Sequence, residues 1–212
     1  LRLEQRLEVF RTRRAYGLDV SWRQVRGLTE RAAGAERQFL NRWEVEGQFR
    51  PASAWELKLT GTTERDRVQS EAFDEARSFD IRTLRVRPDV TYQPGRALDL
   101  TLSGVYSRKR DRAKGRQADL LKFPVELTWR RAGRLRLTAN AELAQVDLSG
   151  AAIGLAQFEL TDGRGPGTSF LWGLQGRYAL TDNLRATLNY DGRAPATADP
   201  IHTVRVQVSA SF

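Results

Sequence analysis

Apolar and polar residues alternate with a period of two along most of this chain, the pattern of β-strands with two unlike faces. The closing stretch HTVRVQVSASF shows it without a break from Val204. Val204, Val206, Val208, Ala210 and Phe212 share one face; Thr203, Arg205, Gln207, Ser209 and Ser211 share the other. Four internal segments repeat one theme: PASAWELKLTG, PGRALDLTLSG, AGRLRLTANAE and TDNLRATLNYDG. Each opens on turn residues and runs into an alternating strand, and each follows another alternating strand. The spacing predicts tight hairpins at intervals of roughly 40 residues. Longer polar connections are predicted at 27–38, 64–78, 108–117, 147–168 and 191–201. Short turns thus gather at one end of the sheet and long loops at the other.

The two faces keep their character from strand to strand. One carries Trp55, Leu57 and Leu59, then Leu84, Val86 and Val90, then Leu121, Phe123, Val125, Leu127 and Trp129, and so on to the end. The other carries Glu56, Lys58, Arg85, Arg87, Lys122, Glu126, Arg136, Glu142, Arg177 and Arg185. A soluble sandwich usually breaks its strands at about five or six residues. Strands nearer ten, all with the same charged face, fit a transmembrane barrel with lipid outside and a charged lumen inside. Ten residues tilted by about 40° rise roughly 25 Å, the height of an outer-membrane apolar band. Aromatic residues stand at both borders: Phe49, Trp55, Tyr92, Trp129, Tyr178 and Phe212 at the turn end, Tyr106 and Tyr190 at the loop end. The pattern therefore predicts an all-β, antiparallel up-and-down transmembrane β-barrel of about ten strands, within a range of eight to twelve.

The N-terminal part is read less uniquely. GLDVSWRQV alternates well, but residues 1–14, LRLEQRLEVFRTRR, hold no Gly, Pro, Asn or Asp to turn with. They are an N-terminal extension of that strand, an amphipathic helix with Leu3, Leu7 and Phe10 on one stripe, or a separate strand from Leu1 to Val9. Residues 15–212 form the barrel proper.

The repeated turn–strand units and the terminal VRVQVSASF resemble those of bacterial outer-membrane β-barrel proteins. The last two strands are similar to the C-terminal barrel of large surface proteins in the Bacteroidota and related lineages. The resemblance implies an integral outer-membrane location. It implies that Val204, Val206, Val208, Ala210 and Phe212 act as the signal presented to the barrel-assembly machinery, with Ala210 standing where a larger apolar residue is common. It also implies a role as membrane anchor or narrow channel, including as the C-terminal domain of a larger surface or secretion protein with further subunits. The chain opens at LRLEQ with neither an initiator Met nor a signal-peptide pattern, and is expected to be a mature or excised fragment.

Composition narrows the chemistry. The 212 residues include 35 Lys and Arg against 26 Asp and Glu, a formal charge of +9. There is no Cys, which excludes disulfides and thiolate metal sites, and a single His. No metal or cofactor is expected. His202 is the one imbalance: cell-surface barrel hydrolases need a His with Asp or Ser at the outer rim, and Asp191, Asp199 and Ser169 are candidates. His202 falls on the lipid-facing register, so a rim hydrolase is the alternative rather than the main reading. TDGRGPGTSF lacks the Gly-Lys-Ser/Thr ending of a phosphate loop. Asp66, Glu71, Asp74 and Glu75 fit no calcium-loop spacing and read as solvated loop.

Two charged sets remain. Lys122, Glu126, Arg136, Glu142, Arg177 and Arg185 face the lumen with interleaved signs; in a narrow barrel they pair across strands and fill it. Arg108, Arg110, Arg112, Lys114 and Arg116 continue the outward register of their strand past the apolar band. Arg65 and Arg67 do the same on theirs, as do Arg26, Arg37 and Arg82. A cation ring there faces the phosphates of outer-leaflet lipopolysaccharide. Nucleic acid is not expected as a partner: it explains the charge but not the strands. A soluble β-protein with a charged groove for an acidic or lipidic ligand is the third alternative.

Overall fold

A computed structural model describes residues 1–12, 15–31, 34–70, 78–131, 133–150 and 154–210. Among these residues are twelve strands and one short helix: β1 Arg2–Thr12, β2 Tyr16–Arg31, β3 Gly34–Ala52, β4 Trp55–Ser70, β5 Phe79–Tyr92 and β6 Leu98–Ser103. The second half comprises β7 Val105–Asp111, β8 Arg116–Arg131, β9 Leu135–Ser149, α1 Gly154–Thr161, β10 Gly167–Ala179, β11 Leu184–Ala194 and β12 Ile201–Ala210. Every strand pair is antiparallel, and neighbours in sequence are neighbours in the sheet. The fold is thus an all-β, up-and-down meander.

β6 and β7 are two halves of one pass. Both lie between β5 and β8, and the register runs on unbroken, from Val90↔Leu102 to Val86↔Tyr106. Proline causes the gap. Pro88 lies opposite Gly104 and accepts its N–H at 3.0 Å, but has none to return. Pro124, between Leu102↔Val125 and Val105↔Lys122, removes a second ladder donor on the other side. The sheet's twelve strands therefore make eleven passes, against about ten expected. The extra pass is β1. Residues of the N-terminal segment form a separate strand paired with β2 from Arg2↔Gly27 to Thr12↔Gly17, neither a helix nor an extension of β2.

Several strands are longer than the ten residues expected: β3 has 19, and β2, β4 and β8 have 16 each. Two connections read as long loops are consequently strand. Residues 27–38 are mostly the ends of β2 and β3, and 108–117 is β7, a turn at 112–115 and the start of β8. Asp111 sets that turn by accepting the Ala113 N–H at 3.0 Å, and Gly115 supplies the positive φ of 65°. Polar residues alone did not distinguish a loop from a strand that continues beyond the apolar band into water.

The outward face is apolar and exposed: Val206 is 68% accessible, Leu59 54% and Phe123 47%. Trp22 and Trp43 meet on it with ring centroids 6.0 Å apart, and the Trp22 indole N–H donates to Asn41 Oδ1 at 2.8 Å. Trp55 and Tyr92 meet at 4.4 Å near the short turns. The buried core lies on the opposite face, inside the curl of the sheet. It comprises Val68, Phe79, Ile81, Ala118, Leu120 and Val146 from four strands, with Ala156 and Leu160 of α1. Leu120 and Leu160 are fully buried, each contributing about 2 kcal/mol of apolar burial.

Candidate functional site

The inner face has two levels. Toward the short turns it is charged, as expected. Toward the other end its positions become apolar, because the inward registers of β4, β5, β8 and β9 there hold Val68, Phe79, Ile81, Ala118, Leu120 and Val146. α1 seats on this apolar ring from within, so the β9–β10 connection folds into the lumen instead of extending away from it.

The end of α1 is a lock. Asp162 has φ 54°, the only positive φ of a non-glycine among the described residues. Gly163 follows at φ 72°, and its N–H donates to Phe158 O at 2.8 Å, closing the helix. This reversal aims the Asp162 carboxylate at three cations. Lys109 donates to one oxygen; Lys122 donates to the other at 2.6 Å; Arg85 Nη2 stands 3.7 Å from the second. Lys109 also donates to Glu159 O, a carbonyl that the end of the helix leaves open. Arg164 pairs with Glu142 and donates to Ser169 Oγ at 3.3 Å. Together these contacts tie the connection to β5, β7, β8, β9 and β10. Asp162 lies on the connection, outside the spanning strands. Burial alone would raise its pKa, but the hydrogen bonds and charges of Lys109 and Lys122 outweigh that and hold it at about 2.

All six lumenal residues read from the sequence lie on the inward register: Lys122 and Glu126 on β8, Arg136 and Glu142 on β9, Arg177 on β10, Arg185 on β11. Their partners differ from the expectation. Lys122 and Glu142 pair with the plug, through Asp162 and Arg164, and not across strands. Among the described residues no ion pair holds Glu126, Arg136, Arg177 or Arg185. Near the short turns, Arg130, Arg136 and Arg177 stand side by side on β8, β9 and β10. Arg130 is paired with Asp99 at 2.5 Å. This stretch of the inner wall, on β8 to β10, is therefore basic.

The outer cations divide in the same way. Arg108 lies outward on β7 but is bound to Asp119 at 2.8 Å, which also accepts the Tyr106 hydroxyl at 2.9 Å. Arg110 donates to Gln117 at 2.9 Å. Arg112 and Lys114 lie in the turn, and Arg116 opens β8 opposite Asp111, on the inward register. The outward row thus ends before Arg116, because the chain reverses where the sequence was read as one continuing strand. Arg65 and Arg67 are outward on β4; Arg65 makes a two-pronged contact with Asp80 at 2.9 and 2.6 Å. Asp66, read as solvated loop, belongs to β4, and its Oδ1 is buried without a partner. Glu71, Asp74 and Glu75 lie outside the described residues.

His202 stacks on Tyr190 at 6.0 Å, accepts or donates a hydrogen bond with its hydroxyl at 2.9 Å, and meets the edge of Trp172 at 5.4 Å. All three are on the outward register. Asp191 and Ser169 are on the inward register, so the sheet separates them from the imidazole. Val204, Val206, Val208 and Ala210 share the outward register of β12 as read; Phe212 lies outside the described residues.

An antiparallel meander with an apolar exposed outer face and a charged inner face defines the transmembrane β-barrel class. No protein-family model matches the chain, and no curated protein matches its sequence. Among solved structures it is similar to OmpT, an outer membrane protein of Vibrio cholerae, with a TM-score of 0.56 at 9% identity, covering 99% of this chain and 95% of that one. It is also similar to the NanC porin, with a TM-score of 0.42 at 10% identity and 99% coverage of both chains. The translocator domain of the autotransporter NalP from Neisseria meningitidis gives 0.42 at 13% identity, covering 99% of this chain and 79% of that one. The first likeness gives the fold as that of an outer-membrane β-barrel; the two weaker ones add nothing to it.

Proposed function

We propose that the chain is an integral outer-membrane barrel serving as a narrow, gated channel or a membrane anchor, closed from its loop end by α1. The observation that carries this reading is the Asp162 lock: a left-handed aspartate held by Lys109, Lys122 and Arg85 of three separate strands. Water-filled porins of sixteen or more strands keep a wide lumen, whereas this sheet has eleven passes and a helix seated within. The arginines that stand side by side on β8 to β10 favour anions. In planar bilayers the wild-type protein should show small, infrequent currents with a mild anion preference, read from the reversal potential in a salt gradient. Large, steady currents would contradict the plug.

The same barrel serves as the C-terminal domain of a larger surface or secretion protein, of the Bacteroidota type on the resemblance of its last two strands. Here the terminal alternation ending in Phe212 is the assembly signal. Deleting Phe212, or Phe212→Ala, should cut outer-membrane levels in cells several-fold while shifting the unfolding midpoint of protein refolded in detergent only slightly. Equal, small losses in both measurements would reduce Phe212 to a packing residue.

A further inference from the structure

Above the apolar belt, the outward ends of β1 to β4 form a surface that the plug does not use. Four register neighbours alternate across it: Leu3 on β1, Arg26 on β2, Phe39 on β3 and Arg67 on β4. Arg26 lies over the Phe39 ring, 5.7 Å from its centroid. Leu28 extends the apolar floor, and Arg65 stands one ladder step nearer the belt. These residues line a groove of about 640 Å³, most of its lining apolar. The charged residues that line it are all arginines, with Asp80 across the ladder from Arg67. Arg65 is matched by Asp80, while among the described residues no carboxylate pairs with Arg26 or Arg67. The contrast with β7 is informative. There Arg108 and Arg110, on the same outward face, are already engaged by Asp119 and Gln117.

We infer that this groove binds a phosphorylated lipid of the outer leaflet, with Arg26 and Arg67 on its phosphate and Leu3, Leu28 and Phe39 along an acyl chain. An arginine fork suits a phosphate, and a phosphate beside an acyl chain is the chemistry that meets both halves of the groove. The height agrees: outward residues below are lipid-facing, so a headgroup at this level is where the barrel leaves the hydrocarbon. The inference is independent of the plug, since neither Arg26 nor Arg67 contacts it.

The test uses the full chain in neutral detergent with three probes: bis-phosphorylated lipid A, the same lipid dephosphorylated, and inorganic phosphate. The wild type should prefer the phosphorylated lipid about tenfold or more over the dephosphorylated one. Arg26→Gln combined with Arg67→Gln should abolish that preference, with heat-modifiable gel mobility unchanged, and Arg110→Gln should leave it intact. Leu28→Gln should weaken both lipids alike. The preference should shrink at high ionic strength. Equal affinity of the wild type for both lipids would overturn the phosphate contact. Inorganic phosphate binding as tightly as the lipid would overturn the lipid as the ligand. A loss in Arg110→Gln equal to that of the double variant would make the effect one of net charge and overturn the site.

Discussion

Asparagine at position 162 is expected to turn a closed barrel into a leaky one. Asn fits the left-handed backbone of Asp162 nearly as well, so the variant removes charge and little else. What it leaves is Lys109, Lys122 and Arg85 facing one another with no anion between them. The hydrogen bonds and charges of Lys109 and Lys122 hold the carboxylate at about 2, below its ordinary value, so the variant removes a charge-assisted contact of the docked helix. The apolar seat of Leu160 remains, so openings become frequent without becoming permanent. In planar bilayers the open fraction should rise by at least tenfold. The wild type should reproduce the effect in acid. Because the folded pKa is depressed, the lock is fully present above the unfolded value near 4 and is lost as pH falls through about 2. Asp162→Asn should lose most of that acid response. Identical currents from wild type and variant across this window would remove Asp162 as the lock.

The second large effect separates two adjacent residues. Val125 and Glu126 follow one another on β8, midway between the outward aromatic residues Trp129 and, across the ladder from Leu121, Tyr106. Val125 faces out and Glu126 faces in. Val125→Arg should cost roughly 2–4 kcal/mol, as a cation near the bilayer midplane on the lipid side. Glu126→Arg, one residue along, should change stability by under about 0.5 kcal/mol, since Glu126 is exposed and holds no ion pair among the described residues. Denaturant unfolding from lipid vesicles measures both. Comparable losses would mean that the two faces of the sheet have been misassigned.

The face assignment was legible because it needs only parity along one strand. Val125 and Glu126, or Val206 and Arg205, declare their sides without any knowledge of their neighbours. The hairpins were legible for a similar reason: each carries its own turn residues. What escaped reading depends on several strands at one height. Ala118 and Leu120 sit on the same inward register as Lys122 and look like ordinary interruptions of a charged face. Only when Val68, Phe79, Ile81 and Val146 arrive at the same level do they become a seat for a helix. Asp162 was hidden in TDGRGPGTSF, where glycines read as a turn, because the meaning of its carboxylate lies in Lys109, Lys122 and Arg85, far away in sequence. The basic run around Arg108 misled in the opposite direction: Asp119, which neutralises it, lies beyond a turn that polar residues did not announce. The turn-setting aspartate inside the run, Asp111, was the available signal.

The odd number of passes has a geometric consequence for the wall itself. Among the described residues β1 and β12 share no ladder, and residues 2–11 and 201–210 are all exposed. With eleven antiparallel passes, the first and last strands descend in the same direction. No curvature of the sheet can bring them together as antiparallel neighbours. Hydrocarbon tolerates no bare strand edge, so this boundary is met either by a parallel zipper, with slanted and somewhat weaker bonds, or by an ascending strand set between the two. In the first case the wall has one line that differs in polarity from every other, and that line, more than the lumen, is where the cylinder has a direction in which to come apart.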